Sequence, residues 1–306
     1  MRRLIVNADD LGLTSGINRA IVEAHTRGIV TSSTLMATGP AFAQAVQLAK
    51  ALPRLSIGCH IVLLDGEPVL RTEQVSSLID EDTHAEDSHA EDSHAPRFRE
   101  GLKTFAARAL AGRLDQEQIE AEAMAQIRKI QSTGIVVTHV DTHKHTHVFP
   151  RVLRPLLRAA AACGIPAVRN PFGPRRPLRS DQLFPRPGLW MRYAEMRVLR
   201  GFCGRFRQAV DRQGLLTTDG TLGVEVTGAL DENLFRAIAQ NLPEGTWEFV
   251  CHPGYDDADL QATKTRLRQS RETELRVLTL PEATKMLSRE GIALISYGDL
   301  ARGRPH

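Results

Sequence analysis

No apolar run in this 306-residue chain approaches the roughly eighteen residues that cross a bilayer as a helix, so no membrane-spanning helix is expected. The opening MRRLIVNADD has too short an apolar run for a secretory signal, so the expected location is cytoplasmic. The four cysteines, Cys59, Cys163, Cys203 and Cys251, form no CxxC pair and are expected as free buried thiols. Excess charge of one sign is missing too. With 39 Lys and Arg against 36 Asp and Glu, the net charge of +3 gives no reason to expect a nucleic-acid partner. No glycine-rich phosphate cradle is visible. What remains is ordinary globular composition, 42% hydrophobic and 25% charged, over a length that fits one large domain or two average ones.

Short apolar runs alternate with helical patterns. RLIVNA (3–8) reads as a buried strand, followed by an amphipathic helix capped by Thr14 or Ser15. LSIGCHIVL (55–63), GIVVTHVDTH (134–143), IPAVRN, WEFVCH (247–252) and IALISY (292–297) are further strand candidates. About eight strands interleaved with helices argue a parallel α/β fold, a barrel or an open sheet.

Two segments interrupt the rhythm. EDTHAEDSHAEDSHA (81–95) is one pentapeptide written three times, polar and acidic, and expected as a solvated or disordered loop. The stretch 171–207 has nine arginines against two acids. Within it Leu189, Tyr193, Met196, Leu199, Phe202 and Phe206 recur at helical steps. That stripe is expected to pack on the main body and leave the arginines in water. The sharper reading is a lid or a membrane-surface patch.

The chemistry concentrates at strand ends. HVDTHKHTHVFP (139–150) crowds His139, Asp141, His143, His145 and His147 into nine residues. On a continued strand they would share one face, but a rise of about 3.3 Å per residue spreads them too far to hold one ion together. One or two could bind a metal while the others orient substrate or ligands. Asp9 and Asp10 end the first strand, where parallel α/β folds place their active sites. Adjacent carboxylates there are costly unless a cation or a proton transfer uses them. His60 in GCHIVL and His252 in FVCHPG sit at the ends of two more apolar runs, with Cys59 and Cys251 on the opposite, packing face. One aspartate and two histidines make a metal site with open positions, and the remaining aspartate and histidine can serve as base and acid. That is equipment for metal-assisted hydrolysis of an acyl group.

NADDLGLT, IGCHIVL, THVDTHKHTHVFP and FVCHPGYDD resemble, in order and spacing, the YdjC-like carbohydrate deacetylases, which include chito-oligosaccharide and hopanoid-associated deacetylases. The resemblance covers residue 1 to about 170 and about 213 to 300. It implies an irregular (β/α) TIM-like barrel, here a single domain with insertions at about 81–95 and 171–207. It also implies removal of acetyl from an N-acetylated amino sugar, with one divalent ion, zinc or magnesium. Carried onto this chain, Asp10, His60 and His143 match the metal ligands, Asp9 the general base and His252 the general acid. Asp141, His139, His145, His147 and Arg169 are expected to support ligands or touch substrate, with Asp141 fixing the tautomer of His143 or another histidine. Two other readings stand beside this one. In a phosphoesterase, Arg169 would bind phosphate; the third candidate is a non-catalytic carbohydrate-binding barrel. A homodimer, and a peripheral membrane or glycolipid contact through 171–207, are left open.

Overall fold

The computed structural model describes residues 1–79, 96–174, 178 and 186–303. The acidic repeat at 81–95 lies outside them, as does part of the 171–207 segment. The residues flanking the repeat are pinned together by an antiparallel bridge between Ile79 and Phe98.

Among the described residues, eight strands form one sheet: β1 (Arg2–Leu11), β2 (Ser32–Leu35), β3 (Ser56–Ile61), β4 (Val137–Thr142), β5 (Ala167–Val168), β6 (Gly220–Leu222), β7 (Gly245–Cys251) and β8 (Ile292–Leu294). The order is β5-β4-β3-β2-β1-β7-β6, and every pairing is parallel. β7 runs along one edge of β1 from Arg2 to Ala8. The other edge is shared, with β8 beside Arg2–Leu4 and β2 beside the C-terminal half. The sheet curls into a half-barrel. Its outer margins are drawn together by main-chain bonds from Val168 N to Leu216 O, 2.9 Å, and from Thr221 N to Phe172 O, 3.1 Å. The expected barrel with surrounding helices is therefore present.

Alternation along β1 decides what faces where. Leu4, Val6 and Ala8 join the apolar layer beneath the helices, while Asn7 and Asp9 point inward. Each helix fills that layer with one face. Helix Ser15–Thr26 buries Ile17, Ala20, Ile21 and Ala24, and its first turn is capped by Thr14 Oγ1, which accepts from Ile17 N at 3.2 Å. Helix Pro150–Ala162 buries Val152, Leu153, Leu156 and Leu157. The half-barrel interior is polar instead, apart from a small Ile5, Ala167 and Tyr297 cluster at its floor.

The basic segment packs on the barrel through helices Pro187–Leu199 and Cys203–Arg212, joined by a tighter turn at Arg200–Phe202. Leu189 and Phe206 are buried, and Tyr193, Leu199 and Phe202 pack partly against the core. Arg197, Arg205 and Arg207 are exposed as expected, whereas Arg192 and Arg200 are half-buried. Arg192, Arg200 and Arg207 donate to the carbonyls of Thr227, Gly173 and Asp219, so they staple the segment down. Among the described residues, no helix is long and apolar enough to cross a membrane.

Candidate metal centre

Three side chains from three strand ends converge. Asp10 Oδ1 lies 3.6 Å from His60 Nε2 and 3.6 Å from His143 Nδ1, and the two nitrogens are 3.3 Å apart. Asp10 is the penultimate residue of β1, His60 lies on β3, and His143 is the first residue past β4. The register places His60 directly beside Asp141, whose Oδ1 is 2.8 Å from His60 Nδ1. That hydrogen bond takes the Nδ1 proton and leaves the Nε2 lone pair facing the other two donors. Asp141 therefore orients His60, not His143. Burial alone would lower the His60 pKa, but Asp141, with Asp9 and Asp10, outweighs it and raises it to about 9, so an ion bound at Nε2 would have to displace a proton.

The strand does not continue through the histidine run. Thr142 Oγ1 accepts from His147 N at 3.0 Å and pairs with His147 Nδ1 at 2.7 Å, closing a tight turn. Lys144 and His145 adopt left-handed φ of 55° and 52°. Lys144 Nζ is braced by Asp65 Oδ2 at 2.5 Å. Among the described residues, four non-glycines have positive φ: Asp10, Asp65, Lys144 and His145. Such a conformation costs about 1–2 kcal/mol per residue, so strain is concentrated at this site.

The odd-numbered row accordingly splits. His139 lies inside the barrel, stacked on Tyr297 with ring centroids 3.8 Å apart, and its Nε2 is 3.1 Å from Asn7 Oδ1. His147 Nε2 is 3.2 Å from the Arg169 carbonyl, and burial followed by the Arg169 charge pushes its pKa to about 3. Both are committed to the fold. His145 Nδ1 is buried with no hydrogen-bond partner among the described residues.

Asp9 has a different environment from its neighbour. Arg169 holds it with Nη2 at 2.6 Å from Oδ1 and Nη1 at 2.8 Å from Oδ2, and Asn7 Nδ2 donates at 2.9 Å. Burial would raise the Asp9 pKa, but Arg169 overrides it and keeps the carboxyl well below the usual range. Arg169 also pairs with Asp141 and with Glu248 Oε1, the latter at 2.7 Å. Tyr297 in turn donates to Glu248 Oε2 at 2.6 Å. Arg169 is fully buried among three carboxylates and has no exposed face for a phosphate. A second donor group, Asp9, His60 and Asp141, is close enough in space to hold an ion, but the Arg169 cation already occupies it.

His252 follows β7. Its Nε2 is 3.9 Å from Asp9 Oδ2, and its Nδ1 is 4.0 Å from Glu274 Oε2. All four cysteines are free; Cys59 and Cys251 are buried on the packing face as expected, whereas Cys163 and Cys203 are only partly buried. Sequence reasoning missed Arg271, whose Nη2 is 2.5 Å from Asp10 Oδ2. It also missed Glu274, which accepts from His252 N at 2.6 Å, and Glu248. Glu248 had one visible signal, a lone charge between Trp247 and Phe249 in an otherwise apolar run.

The donor set suits a divalent ion. It offers two imidazole nitrogens and one carboxylate oxygen within 4.8 Å of one another, and the His60 tautomer is fixed from behind.

Comparison with known proteins agrees with this architecture. A carbohydrate deacetylase from Brevibacillus brevis is 32% identical over 302 residues, covering 97% of this chain and 99% of that protein. A chitooligosaccharide deacetylase from Escherichia fergusonii is 30% identical, covering 98% and 99%. A crystallised Enterococcus faecalis protein, named for cellobiose-phosphate cleavage, superposes with a TM-score of 0.75 at 26% identity over 98% of both chains. The family model described as YdjC-like protein matches residues 3–289. On that match the chain belongs to the YdjC-like protein family.

Proposed function

We propose that the protein hydrolyses the acetamide of an N-acetylated amino sugar, an N-acetylglucosamine oligosaccharide in the first instance, with one divalent ion held by Asp10, His60 and His143. The carrying observation is the convergence of these three donors beside Asp9 and His252, which lie 3.9 Å apart. The names of the Brevibacillus and Escherichia relatives support the same reaction class.

A bound ion would acidify a water and polarise the acetamide carbonyl. Asp9 accepts the proton of the attacking water. Arg169 keeps that carboxylate ionised and fixes its direction. His252 donates a proton to the departing nitrogen as the C–N bond breaks. The products are acetate and a free amine. Two imidazole nitrogens beside one carboxylate favour zinc over magnesium on ligand grounds.

The phosphoesterase reading loses its support because Arg169 is enclosed by Asp9, Asp141 and Glu248. The glycolipid reading is weakened because Arg192 and Arg207 donate to the carbonyls of Thr227 and Asp219 outside the basic segment, and Arg200 donates to Gly173 within it. The test supplies zinc-loaded protein with N,N′-diacetylchitobiose and, separately, with a phosphate ester, and follows acetate and phosphate. Acetate alone is expected. Phosphate release without acetate overturns the proposal.

A further inference from the structure

We infer that helix Gln269–Thr279 positions both halves of the site from behind, Arg271 through the ligand Asp10 and Glu274 through His252. The inference rests on the reading of Asp10 as ligand and His252 as acid.

From its sequence, QSRETELRVLT, this helix looks like an ordinary surface element. Arg271 and Glu274 stand three residues apart and so share a face. They are 1% and 2% exposed, although charged side chains are almost never buried without partners. They do not pair with each other. Each reaches instead into the catalytic end of the barrel.

Arg271 is anchored at both ends. Its Nε donates to Leu267 O at 3.2 Å, and its Nη2 donates to Asp10 Oδ2 at 2.5 Å. Space for it is made at Gly254, where an added Cβ would come within 2.8 Å of Arg271 Cδ. With Oδ2 engaged, Asp10 has only Oδ1 to present toward His60 and His143. Arg271 thereby selects which oxygen faces the ion and stops the carboxylate from rotating. Its Nη1 is buried with no partner among the described residues. The guanidinium is therefore not placed there to satisfy its own hydrogen bonds, because an orphaned buried donor costs about 1–3 kcal/mol.

Glu274 has two oxygens for two main-chain donors. Oε2 accepts from His252 N at 2.6 Å, and Oε1 accepts from Gly228 N at 3.2 Å. This fixes the chain where it leaves β7. Oε2 also stands 4.0 Å from His252 Nδ1, which lacks a partner, and the opposite ring nitrogen looks toward Asp9. Arg271 and Glu274 are positioning residues in this account, since neither touches the reacting atoms.

The two roles separate experimentally. In Arg271→Met, zinc affinity measured by chelator competition should fall by about tenfold or more, the scale seen when partners behind metal ligands are lost. Arg271→Lys, which keeps a cation but cannot span Leu267 O and Asp10, should recover part of that affinity. In Glu274→Gln, one acceptor oxygen is gone. Zinc affinity should stay within about threefold of the parent, while kcat falls by about tenfold or more with KM little changed and the pH–rate profile displaced. Circular dichroism and thermal melts confirm that each variant is folded. If Arg271→Met does not fold, Gly254→Ala carries the test by crowding Arg271 in place, and a several-fold loss of zinc affinity is expected. Unchanged zinc affinity in the Arg271 or Gly254 variants overturns the inference. So does parallel loss of zinc and turnover in Glu274→Gln. A parent protein that releases no acetate would remove the proposed reaction, while the zinc affinities of the Arg271 variants would still decide this inference.

Discussion

Arg169 grips both oxygens of Asp9, at 2.6 and 2.8 Å, while Arg271 grips only one oxygen of the adjacent Asp10. That difference divides the labour between two neighbouring aspartates. Asp9 has no oxygen free to swing to an ion, whereas Asp10 keeps Oδ1 facing the histidine nitrogens.

Removing either histidine ligand should empty the site. His60→Ala and His143→Ala are expected to lose zinc and activity together, as read by metal analysis of purified protein. Asp141→Asn should be milder, weakening zinc binding by about 10–100-fold through a loosened His60. Full metal occupancy in His143→Ala would overturn the ligand assignment.

Asp9→Asn should behave in the opposite sense. The amide cannot accept the proton, so turnover should fall by about a hundredfold or more while zinc remains bound. Isothermal titration with zinc and an acetate assay on the same sample separate the two effects. Near-normal turnover would remove Asp9 as base.

Arg169→Met should be the most destabilising single change in the interior. It leaves Asp9, Asp141 and Glu248 buried without their shared cation. Breaking a buried ion pair of this kind costs about 3–5 kcal/mol. Urea unfolding should report that loss, and an unchanged midpoint would mean that the interior rearranges around the missing charge.

Glu225, just past β6, sets an expected pH dependence of stability. It is 4% exposed, and burial pushes its carboxyl from the usual 4.5 up to about 7. The folded state therefore holds this proton more tightly than the unfolded chain. The stability it contributes is complete below about pH 4.5 and is lost as pH rises through about 7. Glu225→Gln should match the parent near pH 4.5 and exceed it at pH 8 by on the order of 2–3 kcal/mol. Parallel stability–pH curves for the two proteins would contradict this.

Much of this site could be read from the chain because it lies at the ends of apolar strands. Asp9, Asp10, Asp141, His143 and His252 sit at or just beyond the point where an apolar run stops, and His60 lies within one, next to the last residue of β3. What was hidden depended on tertiary context. The left-handed turn at Lys144 and His145 breaks the strand period, and it is braced by Asp65, which is remote in sequence. Arg271 and Glu274 belong to a helix whose pattern reads as surface. Arg169 stood out as a charge beside a strand, but its three carboxylates come from β1, β4 and β7, which no local pattern connects. The half-burial of Arg192 and Arg200 was hidden because a main-chain carbonyl acceptor leaves no trace in sequence.

The most direct measurement titrates zinc into chelator-stripped protein while following acetate released from N,N′-diacetylchitobiose. The account predicts no release without the ion, a rise that saturates at one zinc per chain, and no rise in His143→Ala. Full acetate release from stripped protein, or one tightly bound zinc with no acetate released, would contradict it.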